Sequence, residues 1–187
     1  MKDISLHLLD IVQNSLAAEA SRVEISLKAD NGGKLEILIK DNGKGIEKDI
    51  LHMITDPFFT SRNTRKVGLG IPLFKASCER SGGMMHIKSE KGKGTEILAT
   101  FAIDNIDRPP LGDVGETVSC LVMMTPEVEI ELVITAGEEK FVFNSFEVKR
   151  QLGDVPLDNY EVITWIKEFV NENVNKMFGG VLNEITG

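Results

Sequence analysis

Asp10 and Asn14 stand four residues apart in the run Asp10-Ile-Val-Gln-Asn14. On a helix they share one face, a turn apart. A carboxylate and a carboxamide so placed can hold a hydrated Mg2+ and orient a water near phosphate oxygens. Gly68-Leu-Gly70-Ile-Pro-Leu73 sets two glycines at the start of an apolar, helix-patterned stretch. The first N–H groups of a helix bind phosphate, and glycine lets the oxygens approach. The spacing is neither GxGxxG nor GxxxxGK[ST], so neither a dinucleotide-binding nor a Walker loop is indicated. Between these two runs lie Asp41-Asn-Gly-Lys-Gly45, a tight-turn signal, and Pro57-Phe-Phe-Thr-Ser61, followed by the basic Arg62, Arg65 and Lys66. Gly94-Thr95 closes the series. Singly, each has a plain reading: a solvated polar stripe, a turn, a core anchor, a helix entry, a strand start.

The elements that must position these residues can be read from periodicity. Ile4, Leu8, Ile11, Val12 and Leu16 recur at three- and four-residue spacings, which predicts a helix over 3–20. Strands are expected at 23–29 and 35–40, joined through Asn31-Gly-Gly. A short helix over 47–54 should end before Pro57. Residues 60–67 are polar, basic and aperiodic, so a loop. A helix over 69–81 ends at Gly82-Gly83, and strands follow at 84–89 and 95–103. Helices on one face of a mixed, mainly antiparallel sheet make an α+β fold, a two-layer α/β sandwich. After the break at Arg108-Pro-Pro-Leu-Gly come a helix capped by Asp113 with its body at 114–124, strands at 127–136 and 140–143, and an amphipathic helix over 160–178. Two units follow: 1–106, which holds the series, and 107–187, an additional α/β C-terminal segment.

Charge divides at the same place. Residues 1–106 carry 15 Lys/Arg against 14 Asp/Glu, and residues 107–187 carry 6 against 15, which gives the chain its net −8. The acidic second segment argues against general binding to nucleic acid. No apolar run approaches the roughly 20 residues that span a bilayer. The N-terminus lacks a signal-peptide stretch, so no membrane association and a cytoplasmic location are expected. Cys78 and Cys120 lie far apart in no metal-ligand pattern and read as small buried hydrophobes.

The five runs, in this order and spacing, resemble the nucleotide-binding domain shared by gyrase B, Hsp90, histidine kinases and MutL, the GHKL ATPases. The likeness covers about the first 105 residues, and it implies the Bergerat ATP-binding fold, with ATP and Mg2+ as ligands. It implies that Asn14 binds Mg2+ and that Asp10 stands at the position of the base facing the attacking water. Asp41 would accept a hydrogen bond from the adenine amino group, which selects an amino group over a keto oxygen. Gly43 and Gly45 would let the backbone approach the base, Ile46 would pack on it, and Thr95 would join Asp41 there. Thr60 and Lys66 belong to the segment before the glycine turn, where 62–67 would be a short lid. Gly68, Leu69 and Gly70 would face the phosphates.

The first helix departs from the family. Asp10 stands where the MutL type has the longer Glu, and Ala17 stands where an Asp or a basic residue is usual. Recognition of Mg-ATP is therefore expected more firmly than hydrolysis. Among His7, His52 and His86, none has the context of a phospho-accepting histidine. The resemblance thus implies a stand-alone kinase-like or slow ATPase domain, most simply a regulatory kinase with ATP/ADP and a protein partner. The alternative is an ATP-dependent switch with little hydrolysis or transfer. The acidic segment is expected to pack on the first, with Val128, Ile130, Leu132 and Ile134 as its buried face.

Overall fold

The computed structural model describes residues 3–30, 32–51, 53–54 and 69–179. Pro57–Ser61 and the expected lid 62–67, with Thr60, Lys66 and Gly68, lie outside them. The element order is α1 (Ile4–Ala17), β1 (Arg22–Ala29), β2 (Lys34–Asp41), α2 (Lys48–Leu51), α3 (Gly70–Arg80), β3 (Met85–Glu90), β4 (Gly94–Ala102), α4 (Val114–Met124), β5 (Glu129–Ala136), β6 (Glu139–Asn144), α5 (Ser145–Leu152) and α6 (Tyr160–Phe178).

Six strands form one sheet in the order β3-β4-β2-β1-β5-β6. Alternation along each strand sorts its residues by face. Val23, Ile25 and Leu27 of β1 are buried with Leu35, Ile37 and Ile39 of β2 and with Ile97, Ala99 and Phe101 of β4. Ile25 lies opposite Ile39, and Ile39 opposite Ile97, so the inner face is continuous across three strands. Helices α1, α3, α4 and α6 cover that face and supply Ile4, Leu8, Ile11, Phe74, Val118, Leu121, Ile166 and Val170 to one core. The outer face carries Glu24, Lys28, Glu36, Lys40 and Lys88, none of them buried. This is a two-layer α+β sandwich.

The acidic segment shares this sheet and core. Strand β5 lies parallel to β1, with Leu132 opposite Ile25. Val128, Ile130, Leu132 and Ile134 are 7%, 0%, 0% and 0% exposed. The stretch at Arg108-Pro-Pro-Leu is not a free linker. Carbonyls of Pro110 and Leu111 accept the Ile4 and Ser5 N–H groups at 2.9 and 2.8 Å, satisfying orphan donors at the start of α1. The Asp3 side chain caps the same end by accepting from Leu6 N. Arg108 is buried, its Nε donating to the Ile103 carbonyl at 2.9 Å. Helix α4 is capped as expected, with Asp113 Oδ1 accepting from Glu116 N at 2.7 Å.

Candidate functional site

The site forms where α1, the end of β2, the start of β4 and the start of α3 converge. In the sheet Asp41 pairs with Thr95, which pairs with Ser89, so all three project on the helix-covered face at one end. Asp41 is 8% exposed. Its Oδ1 accepts from the Gly43 and Thr95 backbone N–H groups at 2.9 and 3.2 Å, and its Oδ2 accepts from Ser15 Oγ at 2.7 Å. A carboxylate offers about four acceptor positions, so Oδ2 retains capacity for one further donor. Ser15 is the residue of this candidate site that sequence reasoning missed. Its position directly after Asn14, on the buried side of α1, was the available signal.

Thr95 meets Asp41 through its backbone. Its backbone N–H reaches Asp41, while its hydroxyl lies 2.9 Å from Ser89 Oγ. Ser89 also touches the Gly94 carbonyl at 3.0 Å and accepts from Ile46 N at 2.8 Å. The hydroxyl is engaged by a serine that alternation along β3 places on the same face. Ile46 is half-buried against the core.

The glycines of the turn are required by the protein's own backbone. Gly45 has φ +65°, and a Cβ there would land on the Glu90 carbonyl. A Cβ on Gly43 would lie 2.8 Å from the Ala18 carbonyl. The turn is pinned from both sides, Lys44 N donating to Ala18 O at 2.9 Å and Gly92 N to Lys44 O at 2.8 Å. Asn42 is structural too, its Oδ1 accepting from Ser21 N and Arg22 N, both at 2.9 Å.

Asp10 and Asn14 lie on α1, both half-buried. Asp10 faces the start of α3. A Cβ built on Gly70, the first residue of that helix, would lie 3.1 Å from Asp10 Cβ and 3.4 Å from Asp10 Oδ2. The carboxylate thus sits beside a positive helix end, and glycine at position 70 makes the approach possible. Leu69 precedes the helix with no side-chain cap and is 58% exposed. Ala17 is exposed. The chain therefore brings Asp10, Asn14, Asp41, Gly43, Gly45, Ile46, Leu69, Gly70 and Thr95 to one end of the sandwich.

An open depression of about 230 Å³ borders Asp41 and Thr95. Its charged lining includes Lys40, Lys88, Glu90 and Glu96 from the outer face of the sheet and Lys93 from the β3–β4 turn, besides Asp41 itself. Cys78 is buried, which pushes its thiol up to about 12 and leaves it protonated. Among the described residues no helix is long and apolar enough to cross a membrane.

The two-layer sandwich thus carries a buried, three-donor carboxylate at the end of β2 and an acid–amide pair on the facing helix. The family model described as histidine kinase-, DNA gyrase B- and HSP90-like ATPase matches residues 2–105, and the chain belongs to that family. Curated relatives include sensor histidine kinase ZraS of Escherichia coli K12, 30% identical over 56% of this chain and 23% of that protein. Sporulation kinase D of Bacillus subtilis 168 is 36% identical over 51% of this chain and 19% of its own length. The chain spans about a fifth of the length of these relatives. Among solved structures, the N-terminal domain of a DNA repair protein aligns over 76% of this chain and 52% of that one, with TM-score 0.55 and 15% identity. That likeness concerns the fold alone, and its share of the chain exceeds residues 2–105.

Proposed function

We propose that this chain binds Mg-ATP and acts as a regulatory, kinase-like module on a protein partner. The observation that carries the reading is the Asp41 carboxylate, buried and held by Ser15, Gly43 and Thr95 with acceptor capacity to spare. Such a group recognises an amino donor and penalises a ligand that leaves it unpaired. Asp41 would hold the adenine amino group, and Asn14 would ligate Mg2+. Mg2+ keeps several waters and needs only one or two protein oxygens, which suits a half-buried amide one helical turn from a carboxylate. The Leu69–Gly70 end of α3 would receive phosphate oxygens on backbone N–H groups. When bound, Mg-ATP supplies a transferable phosphoryl group. Asp10, beside that helix end, is the one carboxylate of the α1 pair placed to orient a water or an acceptor hydroxyl.

A second reading is favoured by a specific observation. Asp10 is one methylene shorter than the usual Glu, lies against Gly70, and has only exposed Ala17 further along the helix. A base must reach its proton within hydrogen-bonding distance. An ATP-dependent switch, in which a partner binds one nucleotide state better than the other, needs no such base. Incubation with γ-labelled ATP and Mg2+, with and without soluble extract from the source cells, separates the two. Label on a protein supports the kinase, and retained ATP without label transfer or phosphate release supports the switch. Absence of ATP binding overturns both.

A further inference from the structure

Among the described residues the sheet ends on one side in β3 and on the other in β6. Unpaired strand edges invite pairing, and proteins usually guard them with charge. The outer row of β3 is guarded, with His86, Lys88 and Glu90 all exposed. The outer row of β6 is Lys140, Val142 and Asn144, with Val142 in the middle and 47% exposed. Val142 also ends a row across the outer face that is apolar except at Ser26, where Leu98 lies opposite Leu38, Leu38 opposite Ser26, Ser26 opposite Val133, and Val133 opposite Val142. On the helix side, half-buried Phe141 meets Phe169 edge-on at 5.5 Å, and Phe169 stacks on Trp165, itself 47% exposed.

We propose that β6 is a homodimer interface, in which two copies pair their β6 edges antiparallel about a two-fold axis at Val142. An isologous contact requires a self-complementary surface, and β6 offers one in this register. Val142 lies opposite Val142 of the second copy, and Lys140 lies opposite the second copy's Asn144. Asn144 is bonded to two carboxylates, donating to Glu129 at 2.7 Å and Glu131 at 3.0 Å. The two carboxylates share one cation of their own chain, Arg22, at 3.8 and 3.4 Å, so the pair keeps one net negative charge for each Lys140 ammonium across the axis, twice in the dimer. Among the described residues Lys140 forms no ion pair within its own chain. A register centred on Phe141 would instead set Lys140 against Val142, which places a charge on an apolar partner. In the Val142 register the axis is perpendicular to the sheet, so both helix layers stay on one side, Phe141 faces the second copy's Phe143, and the apolar outer row runs on into the second copy.

Size-exclusion chromatography with light scattering on the full chain, at tens of micromolar, reads the assembly state. The expected mass is twice that of one chain. Val142→Lys sets two ammonium groups directly opposite each other, which is unfavourable in a cross-strand pair, and should yield a monomer with unchanged far-UV circular dichroism. Val142→Cys in a Cys120→Ser background should give a covalent dimer with a short bis-maleimide, which keeps the proposal testable should the lysine variant misfold. A monomeric wild-type chain overturns the proposal, as does a folded Val142→Lys variant that remains dimeric or a Val142→Cys variant that does not cross-link. A chain whose β6 edge is reserved for a strand of another protein would register as the monomer.

Discussion

Ser15 donates its hydroxyl to Asp41 Oδ2 at 2.7 Å, joining helix α1 to the end of β2 across 26 positions of chain. The bond fixes which way the carboxylate faces, because Oδ1 is already held by two backbone N–H groups. Truncating Ser15 leaves Oδ2 with a lost donor at a buried position. Ser15→Ala should lower unfolding free energy by about 1 kcal/mol, the net worth of such a bond, and weaken ATP binding several-fold. Asp41→Asn should cost more, about 1–3 kcal/mol of binding, since the acceptor itself loses its charge. Titration calorimetry with ATP and Mg2+ reads both. Undiminished affinity in Asp41→Asn would remove the adenine assignment.

Gly45 and Gly33 share a positive φ, +65° and +78°, but differ in what surrounds them. Gly33 has open space where a Cβ would go, whereas Gly45 faces the Glu90 carbonyl. Gly33→Ala should therefore cost only the left-handed strain, on the order of 1 kcal/mol. Gly45→Ala adds a backbone collision that cannot relax by side-chain rotation, and should destabilise by several times as much. Urea titrations compare them directly. Equal losses would mean that the turn, not the β3–β4 connection, sets the need for glycine at 45.

Much of this arrangement was legible because period and chemistry agreed. The stripe Ile4, Leu8, Ile11, Val12 gave α1, and the turn glycines bracketed the strands. Helices α4 and α6 begin and end where caps and apolar spacing put them. Helix α5 (Ser145–Leu152) was not foreseen. It is short and mostly polar, and its signal was local: Asn144 accepts from the Phe146 and Glu147 N–H groups at 2.9 and 3.2 Å, as an N-cap does. The parallel pairing of β5 with β1 joins residues about a hundred positions apart, and alternation within a strand is silent on which neighbour it takes. At the site, the family resemblance pointed to Asp41, while Ser89 emerged only once strand register, and Ser15 only once helix packing, set it in the same cluster. Asn42 and Gly45, inside the same run, also serve the fold, Asn42 by accepting from the Ser21 and Arg22 N–H groups and Gly45 by its approach to the Glu90 carbonyl.

His7 is 3% exposed beneath Phe74, with ring centroids 5.1 Å apart. Burial holds its pKa down to about 4 from the ordinary 6.5. The folded state thus favours the neutral ring. This contribution is full above pH 6.5 and erodes as pH falls from 6.5 through 4, where the unfolded chain gains a proton that the fold resists. His7→Leu should flatten that part of the stability profile without changing the acid loss due to carboxylates. Urea midpoints at pH 7.5 and 4.5 for both proteins supply the comparison. A parallel drop in the two would show that His7 does not contribute.

Asn14 and Asp10 occupy one face of α1, yet the neighbours of each predict different losses. Asp10 lies against Gly70 at the start of α3, beside the helix end proposed to receive phosphate. Asn14 sits one turn nearer Ser15 and Asp41. Asn14→Ala removes the oxygen proposed for Mg2+ while leaving the Asp41 recess intact. ATP should still bind, but the gain in affinity on adding Mg2+ should largely disappear. Asp10→Asn keeps size and removes charge, which lowers repulsion toward phosphate at the α3 end. It should leave binding unchanged or tighter while abolishing any transfer or hydrolysis. Affinity measured with and without Mg2+, alongside phosphate release, separates the two residues. An Asn14→Ala protein with an unaltered Mg2+ response would remove the metal role from α1, and an active Asp10→Asn protein would remove the base.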